Sequence, residues 1–332
     1  MKSNRMRRRD FITLLGGVAA LRPLRVYAQA PNLPTIGFLS TFSSRSIGTY
    51  LDAFKSGMSE LGYVEGRNIG ITYRYAEGKF DRLDVLANDL VRREVKLIAA
   101  SGGLVSAKAA MKATASIPVL FVVGFDPVEL GLVTSLKRPG GNATGASVFS
   151  AELVQKQLEL LYQLGPRIQD VAVLLHPQSV TPDIEAKEAM AAAQIKGYRL
   201  HFFKANTASG IDAAFMSAAE QGVSAFLVTG SPFFTGQRTQ IVALAARHAM
   251  PVLYPWREYI DAGGLMSYGT GLVWGYKLIG QYAGRILKGE LPGDLPVQQP
   301  TKFDLVVNLK AAKALGLIIP ETLLATADEV IE

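Results

Sequence analysis

Short apolar runs rich in β-branched residues alternate along this chain with longer stretches of helical spacing, and few folds accept that alternation. Thr35–Ser40 reads as a strand and Tyr50–Leu61 as a helix, with apolar residues three and four apart and Gly62 as its stop. Asn68–Tyr75, Val95–Ala100 and Pro118–Val123 repeat the strand signal, and Phe80–Arg93 and Leu104–Thr114 repeat the helix signal. Strands separated by helices in this way predict a parallel, doubly wound sheet.

Ile117–Ser147 is the joint of the chain. Pro118–Val123 has the composition of a strand buried on both faces, and Gly124-Phe125 breaks it. Asp126-Pro127-Val128-Glu129 has the grammar of a helix start, so Leu130–Lys137 is predicted as a short helix. Arg138-Pro139-Gly140-Gly141-Asn142 stops it, and Ala143–Ser147 is a second extended piece leading into a new body.

After Ser147 the alternation restarts. Helices are expected at Glu152–Leu164, Ile184–Lys196, Ile211–Gln221 and Gln237–His248, with strands at Val171–Leu175, Tyr198–Phe203, Ala225–Val228 and Pro251–Tyr254. Beyond Tyr254 come a helix near Arg257–Ala262, a strand Leu265–Tyr268, a long helix Leu272–Leu287, a Pro-rich connector, a strand Phe303–Val307 and a helical tail. These are too few for a third domain. The 332 residues and 49% hydrophobic content suit two cores. The expected division is residues 31–146 with about 255–295 in one lobe, and 147–254 with about 296–332 in the other, with crossovers near Ser147, Tyr254 and Pro300 acting as a hinge.

The formal charge of +7 suggests a nucleic-acid partner until its placement is read. Residues 1–30 hold seven Lys/Arg and one acid, which leaves 28 bases and 27 acids in the rest of the chain. The basic character belongs to a leader, and no nucleic-acid partner is expected. Arg8-Arg9-Asp10-Phe11-Ile12 is a twin-arginine pattern, and the apolar stretch Phe11–Leu21 is too short for a permanent anchor. Val26-Tyr27-Ala28 and Ala28-Gln29-Ala30 both offer small-x-small cleavage sites. Cutting after Ala28 is favoured, because cutting after Ala30 leaves Pro31 next to the scissile bond. With no cysteine there is no disulfide, thiolate site or lipidated N-terminus, so an exported periplasmic protein is expected.

The stretches RRRDFITLLGG, LGYVEGRNI, YRYAEGKFDRL, GFDPVELGLV with LKRPGGNATGAS, LAARHAMP, WREY with GGLMSYG, GRILKGE and LPVQQPTKFDLVVNLKAAKALGL occur in that order over nearly the whole chain. In this the chain resembles the ABC-transporter substrate-binding proteins of the tryptophan/tyrosine-transporter type. The resemblance implies a type I periplasmic-binding fold: two doubly wound parallel-sheet lobes joined by a multi-crossover hinge. It also implies a small ligand held between the lobes, amino-acid-like or an aromatic carboxylate, and delivery to an ABC permease in the inner membrane. His176-Pro177-Gln178, Ser231-Pro232-Phe233-Phe234 and Phe125 depart from the family's usual residues and leave the ligand open.

In parallel sheets ligands bind outside the carboxyl ends of the strands, where N–H groups at helix N-termini are free. The candidate ligand-binding set follows from that rule: Ser40, Thr41, Ser43, Ser101, Gly102, Gly124, Phe125, Asp126, Ser147, His176, Thr229, Tyr254 and Tyr268. Each has a plainer reading beside it. Capping and turn chemistry explains Ser40, Thr41, Ser43, Ser101 and Asp126 as well as ligand contact does. Tyr254 and Trp256 suit hinge packing as well as ring stacking. Tyr268-Gly269-Thr270-Gly271 lacks the third glycine of a dinucleotide fingerprint and reads better as a cleft-lining turn. His176, His201 and His248 have no metal spacing, no G-x-S-x-G elbow occurs, and no acid/base pair emerges from spacing. A monomeric, non-catalytic receptor without cofactor is therefore expected; a periplasmic sensor subunit for a membrane signalling protein is the alternative. Replacing Arg8 and Arg9 by Lys should leave uncut precursor in the cytoplasm on cell fractionation; normal delivery of that variant would exclude the twin-arginine route.

Overall fold

The computed structural model describes residues 33–148, 153–177 and 182–332; the leader and its cleavage site lie outside them. The first sheet is built from β1 (Thr35–Ser40), β2 (Gly70–Tyr75), β3 (Ile98–Ser101), β4 (Val119–Val123) and β5 (Ala143–Ser147), in the order β2-β1-β3-β4-β5, all parallel. Its helices are α1 (Gly48–Glu60), α2 (Leu83–Arg92), entered through a 3-10 turn at Phe80–Arg82, and α3 (Leu104–Ala113). The second lobe opens with α4 (Val154–Tyr162), β6 (Asp170–Leu175), α5 (Pro182–Lys196), β7 (Arg199–Lys204), α6 (Ala208–Glu220) and β8 (Ala225–Val228). It continues with α7 (Pro232–Gly236), α8 (Arg238–Arg247), β9 (Val252–Tyr254), α9 (Glu258–Asp261) and β10 (Met266–Gly269). Strands β6 to β10 line up as β7-β6-β8-β9-β10, the order of the first sheet repeated. The two-lobed α/β architecture expected from the sequence is present.

The late segments divide differently from the expectation. Met266–Gly269 pairs with β9 in the second sheet instead of returning to the first lobe. Glycine is the physical reason. A Cβ on Gly269 would lie 2.1 Å from the Pro255 carbonyl oxygen, and one on Gly264 would lie 2.6 Å from the Tyr254 ring. Only glycines at these two places let β10 come down beside β9. The return to the first lobe therefore falls at Thr270-Gly271, where α10 (Leu272–Leu287) begins, and not near Tyr254.

Helix α10 seats on α1, β4 and β5. At its crossing with α1, a Cβ on Gly57 would stand 2.1 Å from the Lys277 carbonyl oxygen and one on Gly280 2.1 Å from that of Phe54. The chain then runs along β5, with Gln298 N–H donating to Gly145 and Gln298 C=O accepting from Ser147 N–H. It crosses a last time into β11 (Asp304–Asn308), which is antiparallel to β10. α11 (Leu309–Ala314), α12 (Glu321–Leu324) and β12 (Glu329–Ile331) follow, so the predicted helical tail ends as a strand paired with β11.

The helix predicted over Leu130–Lys137 does not form. Asp126 Oδ1 accepts from Val128 N–H at 2.7 Å and one turn follows, but Gly131 takes a φ of +68° and ends it. A thermal melt should show Gly57→Ala and Gly280→Ala each destabilised by about 1–3 kcal/mol, since overpacking against backbone cannot be relieved by rotamer change. Native melting temperatures in both variants would refute the close helix crossing.

Candidate functional site

The carboxyl ends of both sheets face a cavity of about 70 Å³ between the lobes. Its wall comes from the turns that follow the strands: Phe42 after β1, Gly102 and Gly103 after β3, and Gly124 and Phe125 after β4. The second lobe contributes His176 after β6, Ser231 and Pro232 after β8, and Trp256 after β9. Phe80, Thr235 and Tyr276 complete the polar and aromatic part of the lining, with Leu104, Val105, Val122 and Leu272 among the aliphatic part.

The Ser101-Gly102-Gly103 turn shapes the first-lobe side. Gly102 and Gly103 have φ values of +90° and +85°, and a Cβ on Gly102 would fall 1.7 Å from Thr41 Oγ1. The turn therefore needs glycine, and it delivers the first turn of α3, whose N–H groups have no helical acceptor, to the cavity edge. Tyr276 holds the turn from behind, with its hydroxyl 2.8 Å from Ser101 Oγ and accepting from Gly102 N–H at 3.2 Å.

The second lobe presents side chains instead. His176 is buried among Phe80 of the first lobe, at 5.3 Å between ring centroids, and Phe233 and Phe234 of its own, at 5.2 and 5.8 Å. Burial holds its imidazole down at about 4, so it is neutral near pH 7. His176 Nδ1 and Ser231 Oγ are both buried, and among the described residues neither has a hydrogen-bond partner. Pro232 comes so near that a Cβ on Gly103 would lie 3.1 Å from its Cγ. The two lobes are thus in contact across the cavity.

Of the residues expected at the site, Gly102, Gly124, Phe125 and His176 line the cavity. Ser40, Thr41 and Ser101 stand one layer back: Ser40 Oγ accepts from Phe42 N–H at 3.1 Å and Thr41 Oγ1 donates to Gly102 C=O at 3.2 Å. Ser147 Oγ donates to the Phe125 carbonyl at 2.8 Å and fixes that turn. Thr229 Oγ1 donates to Leu174 C=O at 2.8 Å beside the buried Glu185, whose carboxyl burial pushes up to about 8.

The remaining four are elsewhere. Ser43 bonds within its own loop to Ser46, and Asp126 caps its turn through Val128 N–H. Tyr254 is fully buried and stacked on Tyr259 at 4.7 Å, and Tyr268 packs near Phe303 while its carbonyl accepts from Gln157. Phe80, Thr235 and Tyr276 were not singled out from sequence, and Ser231 entered only as part of the Ser231-Pro232-Phe233-Phe234 departure from the family pattern. Ser231 lies two residues past Thr229 in the same strand-end turn, whereas Tyr276 arrives from a helix no local pattern assigns to the first lobe. Among the described residues no cluster of His, Asp and Glu could hold a metal ion.

Comparison with known proteins agrees with this arrangement. Over 283 residues the chain is 26% identical to a tyrosine-binding protein of Clostridioides difficile strain R20291, covering 85% of this chain and 81% of that one. A conserved domain protein from Vibrio cholerae O1 biovar El Tor superposes with a TM-score of 0.80 at 25% identity, covering 89% of this chain and 99% of that structure. An ABC domain from Streptococcus pneumoniae in complex with L-Trp superposes at 0.77 with 26% identity, covering 89% and 100%. The model of the ABC transporter substrate binding protein family matches residues 35–331. The chain belongs to that family of substrate-binding proteins.

Proposed function

We propose that this protein is the periplasmic solute-binding receptor of an ABC import system, holding a small amino-acid-like or aromatic carboxylate in the cleft between its lobes. One observation carries the reading. A cavity walled by Phe42, Phe80, Phe125, Trp256 and Tyr276 brings together the N-terminal turn of α3 and the unpartnered polar atoms of His176 and Ser231. A planar apolar body suits the rings, a carboxylate suits the N–H groups at a helix N-terminus, and a ligand hydrogen bond would complete His176 and Ser231. The L-Trp complex and the tyrosine-binding relative support an aromatic ligand.

Catalysis has no part in this reading, and neither a cofactor nor nucleic acid does. The protein acts as a monomer and hands its ligand to a permease after export of the precursor through the leader. Opening about the crossings after Val148, at 270–271 and at 299–303 admits the ligand. A thermal-shift screen with L-tryptophan, L-tyrosine, 3-phenylpropionate and indole-3-propionate should find a stabilising ligand. At ~100 times its dissociation constant such a ligand adds ~2.7 kcal/mol to the native state. Small-angle scattering should then show a smaller radius of gyration with ligand than without. No stabilisation by any of the four at millimolar concentration would overturn the reading.

A further inference from the structure

Beside the cavity a second polar cluster spans the lobes. Glu258, on α9 of the second lobe, is buried, and among the described residues no cation is paired with its carboxyl. Across from it stands Tyr50 on α1 of the first lobe, which stacks on Tyr276 of α10 at 4.9 Å between ring centroids. The buried Tyr50 hydroxyl is a neighbour of the Glu258 carboxyl. Tyr259 adds another buried hydroxyl, beside Thr235.

The charged groups that face Glu258 do not neutralise it. Arg238 on α8 donates to Thr235 C=O at 3.1 Å, and among the described residues no ion pair joins it to Glu258. Asp261, on Glu258's own helix, is 3.4 Å from Arg257. An ionised carboxylate enclosed in this way has no paired cation to offset the burial of its charge, whereas a protonated one bears a much smaller cost.

We propose that Glu258 is a proton-gated clasp between the lobes: protonated, it is enclosed against Tyr50 and Tyr276 and the lobes close; ionised, it returns to water and they open. The inference rests on the protein being a closing receptor. Burial raises the carboxyl's pKa; Asp261 adds to this, while its own backbone N–H, Arg238 and Tyr50 oppose. Because the closed-state value is raised, closure gains most below the ordinary glutamate range and loses that gain as pH rises through the raised value. His176 has the opposite sign, since its proton must leave before the lobes can close around it. Glu185, also raised, sits inside the second lobe with Thr229 and does not span the cleft.

The native chain has no cysteine, so Val85→Cys on α2 and Met216→Cys on α6, exposed positions in different lobes, accept a dye pair cleanly. Single-molecule energy transfer on the ligand-free protein reads the ratio of closed to open molecules. Glu258→Gln keeps the His176 gate, so its ratio should rise from about pH 5 to 6.5 and then level off. Dividing the native ratio by that of the variant isolates the Glu258 gate, and this quotient should fall as pH rises above the ordinary glutamate range, by up to about tenfold per pH unit. If circular dichroism shows that this variant does not fold, Tyr50→Phe takes its place and must shift the native profile along the pH axis. A quotient that does not fall with rising pH, or an unshifted Tyr50→Phe profile, would overturn the clasp. These measurements use no ligand, so their failure is distinct from the failure of the ligand screen.

Discussion

The backbone contact between α1 and α10 is the constraint on which the site depends. The chain leaves the second sheet at Gly269 and within three residues must begin a helix that belongs to the first lobe. That helix stays there because Gly57 and Gly280 let the two backbones touch, and Gly275 and Gly284 continue the close fit against Val122 and Leu61. Buried apolar faces hold it once seated. The consequence is chemical: the same seating brings Tyr276 up to Ser101 and Gly102 and so fixes the glycine turn that opens α3 towards the cavity.

Enclosing polar groups between the lobes has a cost. Among the described residues His176 Nδ1 and Ser231 Oγ are buried without partners, and each such group costs ~1–3 kcal/mol against its hydrated state. The ring contacts of His176 with Phe80, Phe233 and Phe234 act in the opposite sense, at ~0.5–1.5 kcal/mol apiece. On the proposed function a ligand completes His176 and Ser231 and a proton relieves Glu258, which makes closure conditional on what arrives in the cleft.

Much of this was legible in the residues. The parallel, doubly wound sheet of each lobe follows from the βα alternation, and the rule that ligands gather at strand carboxyl ends picked out Gly102, Gly124, Phe125 and His176, which line the cavity. The misses share one physical cause: they depend on contacts between distant segments. Met266–Gly269 looks like any short strand, and only the approach of Gly264 to Tyr254 decides which sheet it joins. Asp126-Pro127 has a faultless helix start, but a single left-handed residue at Gly131 stops the turn before a helix can grow. Tyr254 and Tyr268 follow the strand-end rule in sequence, yet one stacks into the core and the other packs beside Phe303. Glu258 carried no signal at all, since nothing local distinguishes a buried acid from one at the surface.

The repeated strand order explains why the two halves of the cleft differ in chemistry. In each sheet the order reverses beside its first strand, at β1/β3 and again at β6/β8, and there the helices that follow leave on opposite faces and open a crevice. Facing crevices give every ligand two sets of partners. The first lobe fills its crevice with Gly102 and Gly103, which have no side chain to give and so offer backbone N–H groups. The second fills its own with His176 and Ser231, which offer side-chain atoms. Backbone donors at a helix start suit a carboxylate wherever the fold recurs, whereas side chains can be exchanged without disturbing a strand. On the proposed function, ligand identity is therefore set on the second lobe, where His176 and Ser231 stand.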